Sequence, residues 1–467
     1  MRRKKLHIKR ATLLIGLCLC IELVNAQITI NLPQANIQSG TDYDQRFSAG
    51  RFVSVLGLIP GFRVNANTPT FSNVTTGGII PLYRANISLI SVGSVSVLGA
   101  GQEQPLSTSP STLYNAVATL LSGDITANAR IPVSGFPWIA GVYSSNVTFS
   151  LSGVNLGTIT PGSQNFNITV PGFISVQPSV GTTSILLNDL SYYRSAAGIS
   201  ANKVIAIGAT VAYIPSVQAG SSQFSFATSL PYNTLPVAPV SAVSAGLASV
   251  PSATSAALSV NNQALTSAVG IQVSTNAQSL TNTYTIAPAA LKSNFLQAGT
   301  YSVPLNYSWS KLASVYPAGS LQTQATGTLE VVVSDLTEIV ASQQVINLDF
   351  NSVSDYTSGV IIDVPSHLRL SKTTPYNLTV RASSSTFTSS GNSIPLSVLR
   401  IGPAGGKTGM NTVTLSAAAQ PIIVNANPEI DRNISLRYSI PASQTEHLMG
   451  VPSGSYSADI IFGVVAP

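Results

Sequence analysis

Ser308-Trp309-Ser310-Lys311, Ser390-Gly391-Asn392 and Lys407-Thr408-Gly409 follow one another in the order used by serine acyl-enzyme chemistry. Such chemistry sets the nucleophilic serine at a helix start beside its lysine. Here Ser308 lies in an alternating, β-type stretch and the last two motifs crowd together, so no enzyme is expected. Gly402 to Thr408 imitates a phosphate loop but is one residue short of the spacing. The alternating Met410 to Ser416 that follows reads as a strand, which leaves no helix N-terminus to face a phosphate. His367 and His447 are the only histidines beyond the first 26 residues, and they stand far apart. Asp349, Asn351 and Asp355, or Asp42 and Asp44, carry calcium-type oxygens without a binding-loop spacing, and read as turn residues. No carboxylate pair is marked out for glycoside hydrolysis. We therefore assign no catalytic, cofactor-binding or metal-binding residue and no cofactor.

The elements that would carry any site come after a processing segment. Arg2, Arg3, Lys4, Lys5, Lys9 and Arg10 precede the apolar run Ala11 to Leu23, and Val24-Asn25-Ala26 offers a cleavage site. Residues 1–26 read as a signal peptide, with the mature chain beginning at Gln27. The run is too short for a membrane span. The segment takes six of 22 Lys+Arg and one of 16 Asp+Glu, so 16 basic and 15 acidic residues remain, a net charge of +1. That excludes the basic footprint of a nucleic-acid protein. Both cysteines leave with the signal, so apolar cores must hold the fold without disulfides. Charged residues make up 8% of the chain, against roughly 25% in ordinary soluble domains. Ser, Thr and Asn supply the polarity instead, a surface with little mutual repulsion that suits assembly. Several Asn-x-Ser/Thr triplets, among them Asn146, Asn167 and Asn377, sit inside alternating strands and read as solvent-face residues.

The chain also repeats itself. One register aligns Val147–Leu151, Leu305–Trp309 and Leu436–Ile440, each followed by a Gly-Ser loop and a second strand at 166–170, 329–333 and 460–464. A second register aligns Ala140-Gly141-Val142-Tyr143, Ala298-Gly299-Thr300-Tyr301 and Ser453-Gly454-Ser455-Tyr456. The first is preferred, because it leaves no orphan strand at 166–170 and 329–333. It places boundaries near 172 and 336, dividing the mature chain into modules 27–172, 173–336 and 337–467. A helix is expected from Ser111 or Thr112 to Gly123, with Leu113, Ala116, Val117, Leu120 and Leu121 on one face. Elsewhere the apolar period is two, punctuated by Gly, Pro, Asn and Ser. The fold class is all-β: three tandem Ig-like, WxL-like β-sandwich modules behind a cleaved signal.

After cleavage, Gln27-Ile28-Thr29-Ile30-Asn31-Leu32-Pro33 would be a strand with Ile28, Ile30 and Leu32 on one face. It is a candidate strand donor to a neighbouring subunit, the plain alternative being the first strand of its own module. Tyr376-Asn377-Leu378-Thr379-Val380, the Ser/Thr-rich stretch around Phe387, and Gly454-Ser455-Tyr456 to Phe462-Gly463-Val464 resemble the WxL-type surface domains of bacteria, with Tyr376 and Phe462 at the tryptophan positions. That resemblance implies two paired Trp-x-Leu strands in a sandwich attached non-covalently to the cell wall. The terminal Gly-x-Tyr strand also resembles the ending of spore-coat-U-type pilin subunits. Together these point to a secreted, non-enzymatic component of the bacterial cell surface, structural or adhesive and fimbria- or envelope-associated. Its partners would be other surface proteins or its own copies, joined by strand pairing, with glycan or cell wall as further candidates and no nucleic acid. Two rivals remain. One is a carbohydrate-binding or glycan-processing protein with a groove lined by Trp138, Trp309 or tyrosines, and the other is an outer-membrane barrel.

Overall fold

The computed structural model describes residues 27–467 apart from 55–57, 60, 98–101, 115–117, 120, 153–156, 231, 233 and 314. The signal-peptide reading therefore lies outside the described residues. The fold is all-β, and its open sheets surround three hydrophobic clusters, each called a unit below. Among the described residues no helix is long and apolar enough to cross a membrane.

The principal strands of the first unit are β1 (Gln27–Asn31), β2 (Tyr43–Ser54), β3 (Phe62–Ala66), β4 (Asn86–Val92), β5 (Ser122–Ile131), β6 (Gly141–Leu151) and β7 (Ser163–Val170). The second unit has β8 (Ile174–Val176), β9 (Ser179–Leu187), β10 (Ile199–Ala209), β11 (Tyr213–Ala219), β12 (Val243–Ala248), β13 (Ala277–Ile286), β14 (Gly299–Lys311) and β15 (Gln322–Val333). The third has β16 (Thr337–Ala341), β17 (Gly359–Lys372), β18 (Tyr376–Ala382), β19 (Arg400–Pro403), β20 (Gln420–Ala426), β21 (Glu429–Pro441) and β22 (Ile460–Val465).

Alternation explains why these segments are strands. In β5, Ile125, Ala127, Ala129 and Ile131 are buried while Thr126, Asn128 and Arg130 face outward, and β13 and β21 repeat the pattern. A period of two puts every second side chain on the covered face. Each of these strands is central in its sheet: β5 lies between β2 and β4, β13 between β10 and β12, and β21 between β17 and β19. The opposite sheets run β1-β7-β6-β3 in the first unit and β9-β15-β14-β11 in the second. In both, the first strand pairs in parallel with the last, which pairs antiparallel with the penultimate strand.

Two expectations are corrected by these pairings. Leu436–Ile440 lies in β21, the counterpart of β5 and β13, and not of the strands holding Val147–Leu151 and Leu305–Trp309. The Gly-x-Tyr register is the one the hydrogen bonds follow. The Tyr143, Tyr301 and Tyr456 hydroxyls each donate to the carbonyl four residues back, on Ile139, Gln297 and Pro452. Alternation misled because all core strands share it, whichever sheet they join. The expected helix is also absent where it can be judged. Ser111–Tyr114 is a strand paired with Phe62–Val64, and β5 already begins at Ser122, with residues 115–117 and 120 outside the described set. Gly123 serves close approach rather than capping: a Cβ there would sit 2.6 Å from the Gly93 Cα.

Between the second and third units, Arg194 donates to both Glu338 and Asp431, and Arg369 lies 3.6 and 3.9 Å from the same two carboxylates. The Arg194 hydrogen bonds are the main reason both carboxyls titrate below their usual range, and burial opposes them. A depressed folded pKa contributes stability above the unfolded value of about 4, and that stability fades as pH falls through the lower folded value. Arg194→Ala should therefore flatten the loss of unfolding stability below about pH 4, as read by urea titrations at stepped pH. Leu329→Ala, which empties a fully buried site on β15, should lower unfolding free energy by about 2–5 kcal/mol in the same assay.

Candidate strand-accepting edge

Among the described residues the third unit has no counterpart of β7 and β15. Its second sheet runs β20-β18-β22 and stops. β18 and β22 occupy the places of β3 and β6, or β11 and β14, yet nothing among the described residues pairs with the outer edge of β22. Residues 345–350 hold the chain position of β1 and β9, between an edge strand and a short helix (Val353–Ser358). They form no strand, and none of the backbone hydrogen bonds of the described residues joins 344–350 to a neighbour.

Burial shows what the gap exposes. On β6 and β14 the inward residues Tyr143, Val147, Phe149, Tyr301, Val303, Leu305 and Tyr307 are at most 3% exposed. Their third-unit counterparts Tyr456, Ala458, Ile460 and Phe462 are only half-buried against the core. Ile28, Ile30 and Leu32, and Ile185 and Leu187, are buried on β1 and β9, whereas Ile346, Leu348 and Phe350 are half-buried. Two rows of apolar side chains thus remain partly wet. The start of the edge strand is also lost. β6 begins at Gly141 and β14 at Gly299, but β22 begins only at Ile460. In β6 the opening residues Gly141–Ser145 pair with β7, while β3 takes only Val147–Leu151. Gly454 to Asp459 keep only an isolated bridge, in which Ser457 and Thr388 exchange backbone hydrogen bonds at 3.1 and 3.2 Å, and the Asp459 carbonyl accepts from the Ser383 amide at 2.9 Å.

The missing strand can be specified from the two present ones. Gly141, Tyr143 and Ser145 face Val170, Ile168 and Phe166, and Gly299, Tyr301 and Val303 face Val333, Val331 and Leu329. A strand laid antiparallel along Gly454, Tyr456 and Ala458 would read Phe/Leu-x-Ile/Val-x-Val. His367 lines this region. It is 3% exposed, its Nε2 is 3.1 Å from the Gln343 carbonyl, its Nδ1 is 2.9 Å from the Tyr438 hydroxyl, and its ring meets Phe462 edge-on at 6.0 Å.

The residues considered for chemistry do not converge. Ser308 and Lys311 lie three apart on β14, so they face opposite sides. Lys311 Nζ donates to the Val315 and Pro317 carbonyls. Gly402 and Pro403 end β19, and Ala404 to Lys407 form a turn with no helix after it. Asp355 lies in the first turn of the Val353–Ser358 helix and accepts from the Asn351 and Ser352 amides at 2.8 and 2.7 Å, completing a capping box with the N-cap Ser352; those bonds lower its pKa. Asp42 pairs with Arg130, and Asp44 accepts from Asn128. Among the described residues no group of three or more His, Cys, Asp or Glu could hold a metal. Trp138 and Trp309 are 0 and 2% exposed, so neither lines a sugar groove. The candidate donor residues Ile28, Ile30 and Leu32 are buried in their own unit, with β1 parallel to β7. The two strands carrying the Trp-x-Leu resemblance are neighbours, with Val380 opposite Phe462. Sequence reading missed the open edge of β22, because alternation marks the strand without naming its neighbours.

No protein-family model matches this chain, and no curated protein matches its sequence. Solved structures similar to it include three fimbrial proteins. CfaE, the adhesive subunit of CFA/I fimbria of enterotoxigenic Escherichia coli, is 10% identical over 66% of this chain and 98% of its own, with a TM-score of 0.29. CsuE, in the CsuC–CsuE chaperone–tip adhesion subunit complex of archaic chaperone-usher Csu pili of Acinetobacter baumannii, belongs to a match that is 13% identical over 62% and 99%, at 0.31. The CupB6 tip adhesin of Pseudomonas aeruginosa is 10% identical over 63% and 91%, at 0.24. The functional reading below rests on the chain's own strand pairing, not on likenesses of this size.

Hydrogen exchange provides a direct check on the edge. Amides of 345–350, 454–456 and 458–459 should exchange at least about tenfold faster than those of β1 and of Gly299–Val303, because their opening is local and close to isoenergetic.

Proposed function

We propose that this chain is a secreted, non-enzymatic subunit of a bacterial surface assembly, fimbria- or envelope-associated, that accepts a β-strand from a partner at the open edge of its third unit. On this reading residues 1–26 are a signal peptide and the modules are 27–172, 173–336 and 337–467. One observation carries the reading: the half-buried row Tyr456, Ala458, Ile460 and Phe462, whose counterparts Tyr143, Ser145, Val147 and Phe149 on β6, and Tyr301, Val303, Leu305 and Tyr307 on β14, are all buried. Unpaired backbone beside partly wet apolar side chains is a template for another strand. Main-chain hydrogen bonds would supply affinity, and the alternating pockets would supply specificity. Burial returns about 25 cal/mol per Å² of apolar surface. The sparse charge of the surface and the absence of cysteine beyond residue 26 agree with a component built to pack against others.

A peptide with the sequence of residues 163–170, Ser-Gln-Asn-Phe-Asn-Ile-Thr-Val, carries the required pattern. Added to the mature chain, it should raise the unfolding temperature of the third unit with increasing dose, stabilising it by about 2.7 kcal/mol at 100 times its Kd. A scrambled peptide with the apolar residues on alternate faces should not. Phe462→Asp in the protein should remove the effect. Calorimetry that shows no peptide-dependent shift would refute strand acceptance.

A further inference from the structure

The chain contains the same joint twice, bond for bond. Thr210 follows β10 directly and is fully buried. Its amide donates to the Phe173 carbonyl at 3.1 Å, and its Oγ1 accepts from the Phe173 amide at 3.0 Å and donates to the Pro171 carbonyl at 2.6 Å. Its carbonyl accepts from the Ala140 amide at 2.8 Å. Thr373 follows β17 directly and is also fully buried. Its amide donates to the Leu336 carbonyl at 3.1 Å, and its Oγ1 accepts from the Leu336 amide at 2.7 Å and donates to the Ser334 carbonyl at 2.8 Å. Its carbonyl accepts from the Ala298 amide at 2.8 Å. In both cases one buried threonine ties three places together. These are the first and third residues after the preceding unit's last strand, and the residue just ahead of that unit's Gly-x-Tyr.

The joint therefore couples two things in one piece of chain. The strand that completes one sandwich runs, after a three-residue step, straight into the sandwich that caps its pole. Val170 ends β7 and Ile174 begins β8; Val333 ends β15 and Thr337 begins β16. The capped residues Ala140 and Ala298 are 0 and 2% exposed. In the third unit the corresponding residue is Ser453, ahead of Gly454-Ser455-Tyr456. It is exposed, and its amide has no partner among the described residues.

Building on strand acceptance, we propose that the partner is a separate β-sandwich subunit that seats on the pole around Ser453 through a third copy of this joint. Its strand fills the slot beside β22, a three-residue step follows, and a buried threonine after its counterpart of β10 and β17 takes the Ser453 amide on its carbonyl. The partner differs from this chain, whose own first strand keeps Ile28, Ile30 and Leu32 buried in its own sheet. A subunit docked in this way would continue the line of units rigidly, whereas a strand alone would leave the pole bare.

Cysteine protection tests this, because the chain has no cysteine beyond residue 26. Ala458→Cys reports on the strand slot and Ser453→Cys on the joint; Ala298→Cys, buried in an existing joint, calibrates full protection. Each full-length variant is produced in its source bacterium, and maleimide labelling rates are compared between the isolated chain and surface assemblies whose composition is read by mass spectrometry. Both reporters should label at least about tenfold more slowly in assemblies, with a second polypeptide present. A protected Ala458→Cys beside a reactive Ser453→Cys would overturn the joint and leave strand acceptance standing. Neither protected would refute both. Both protected in an assembly of this chain alone would overturn the assignment of a different partner.

Discussion

The last strand of each sandwich is the contact on which the rest depends. β7 and β15 each lie between a parallel first strand and an antiparallel penultimate strand, so one segment satisfies the backbone of two neighbours and covers two rows of apolar side chains. Unpaired backbone groups and wet apolar faces are costly together, since the strand that would satisfy one also covers the other. Among the described residues the third unit has no such segment, and the stretches that would flank it differ in the same way. Residues 345–350 lose strand pairing, and β22 shortens to its second half.

The threonine joints extend this dependence along the chain. Because the completing strand of one unit leads directly into the next, pairing within a sandwich and docking between sandwiches share a single backbone path. Thr210 and Thr373 suit the position because a hydroxyl both donates and accepts, and so satisfies an amide and a carbonyl from a stretch that has just left its sheet. The second joint also gathers Arg194, Glu338, Asp431 and Arg369, a concentration of charge on a chain otherwise poor in it. The chemistry-like motifs dissolve into this architecture. Lys311 holds a loop, Asp355 completes a capping box with Ser352, and both tryptophans fill cores.

Much of this was legible from residue order. Alternation marked strands such as Tyr376 to Val380, and the lack of cysteine beyond residue 26 required apolar cores. The Gly-x-Tyr repeat, the register not preferred, stands at the start of β6 and of β14 and lies ahead of β22, which begins at Ile460. These are local properties: a period of two, a glycine tolerance and a tyrosine reaching back four residues are written within a few positions. The segment from Ser111 to Gly123 shows the limit, because its helical spacing was outweighed by a pairing partner some 50 residues earlier, at Phe62–Val64.

Partnership is what only the tertiary structure decided. Leu436–Ile440 and Val147–Leu151 look alike in sequence, yet one lies between β17 and β19 and the other beside β3. Ile460 to Val464 resembles a closing strand, and only its pairing with β18 reveals it as a penultimate strand whose outer edge meets no strand among the described residues. Alternation tells a strand which face to bury; which edge it meets is settled by contacts between residues far apart in the chain, and an empty edge leaves no mark on the residues that border it.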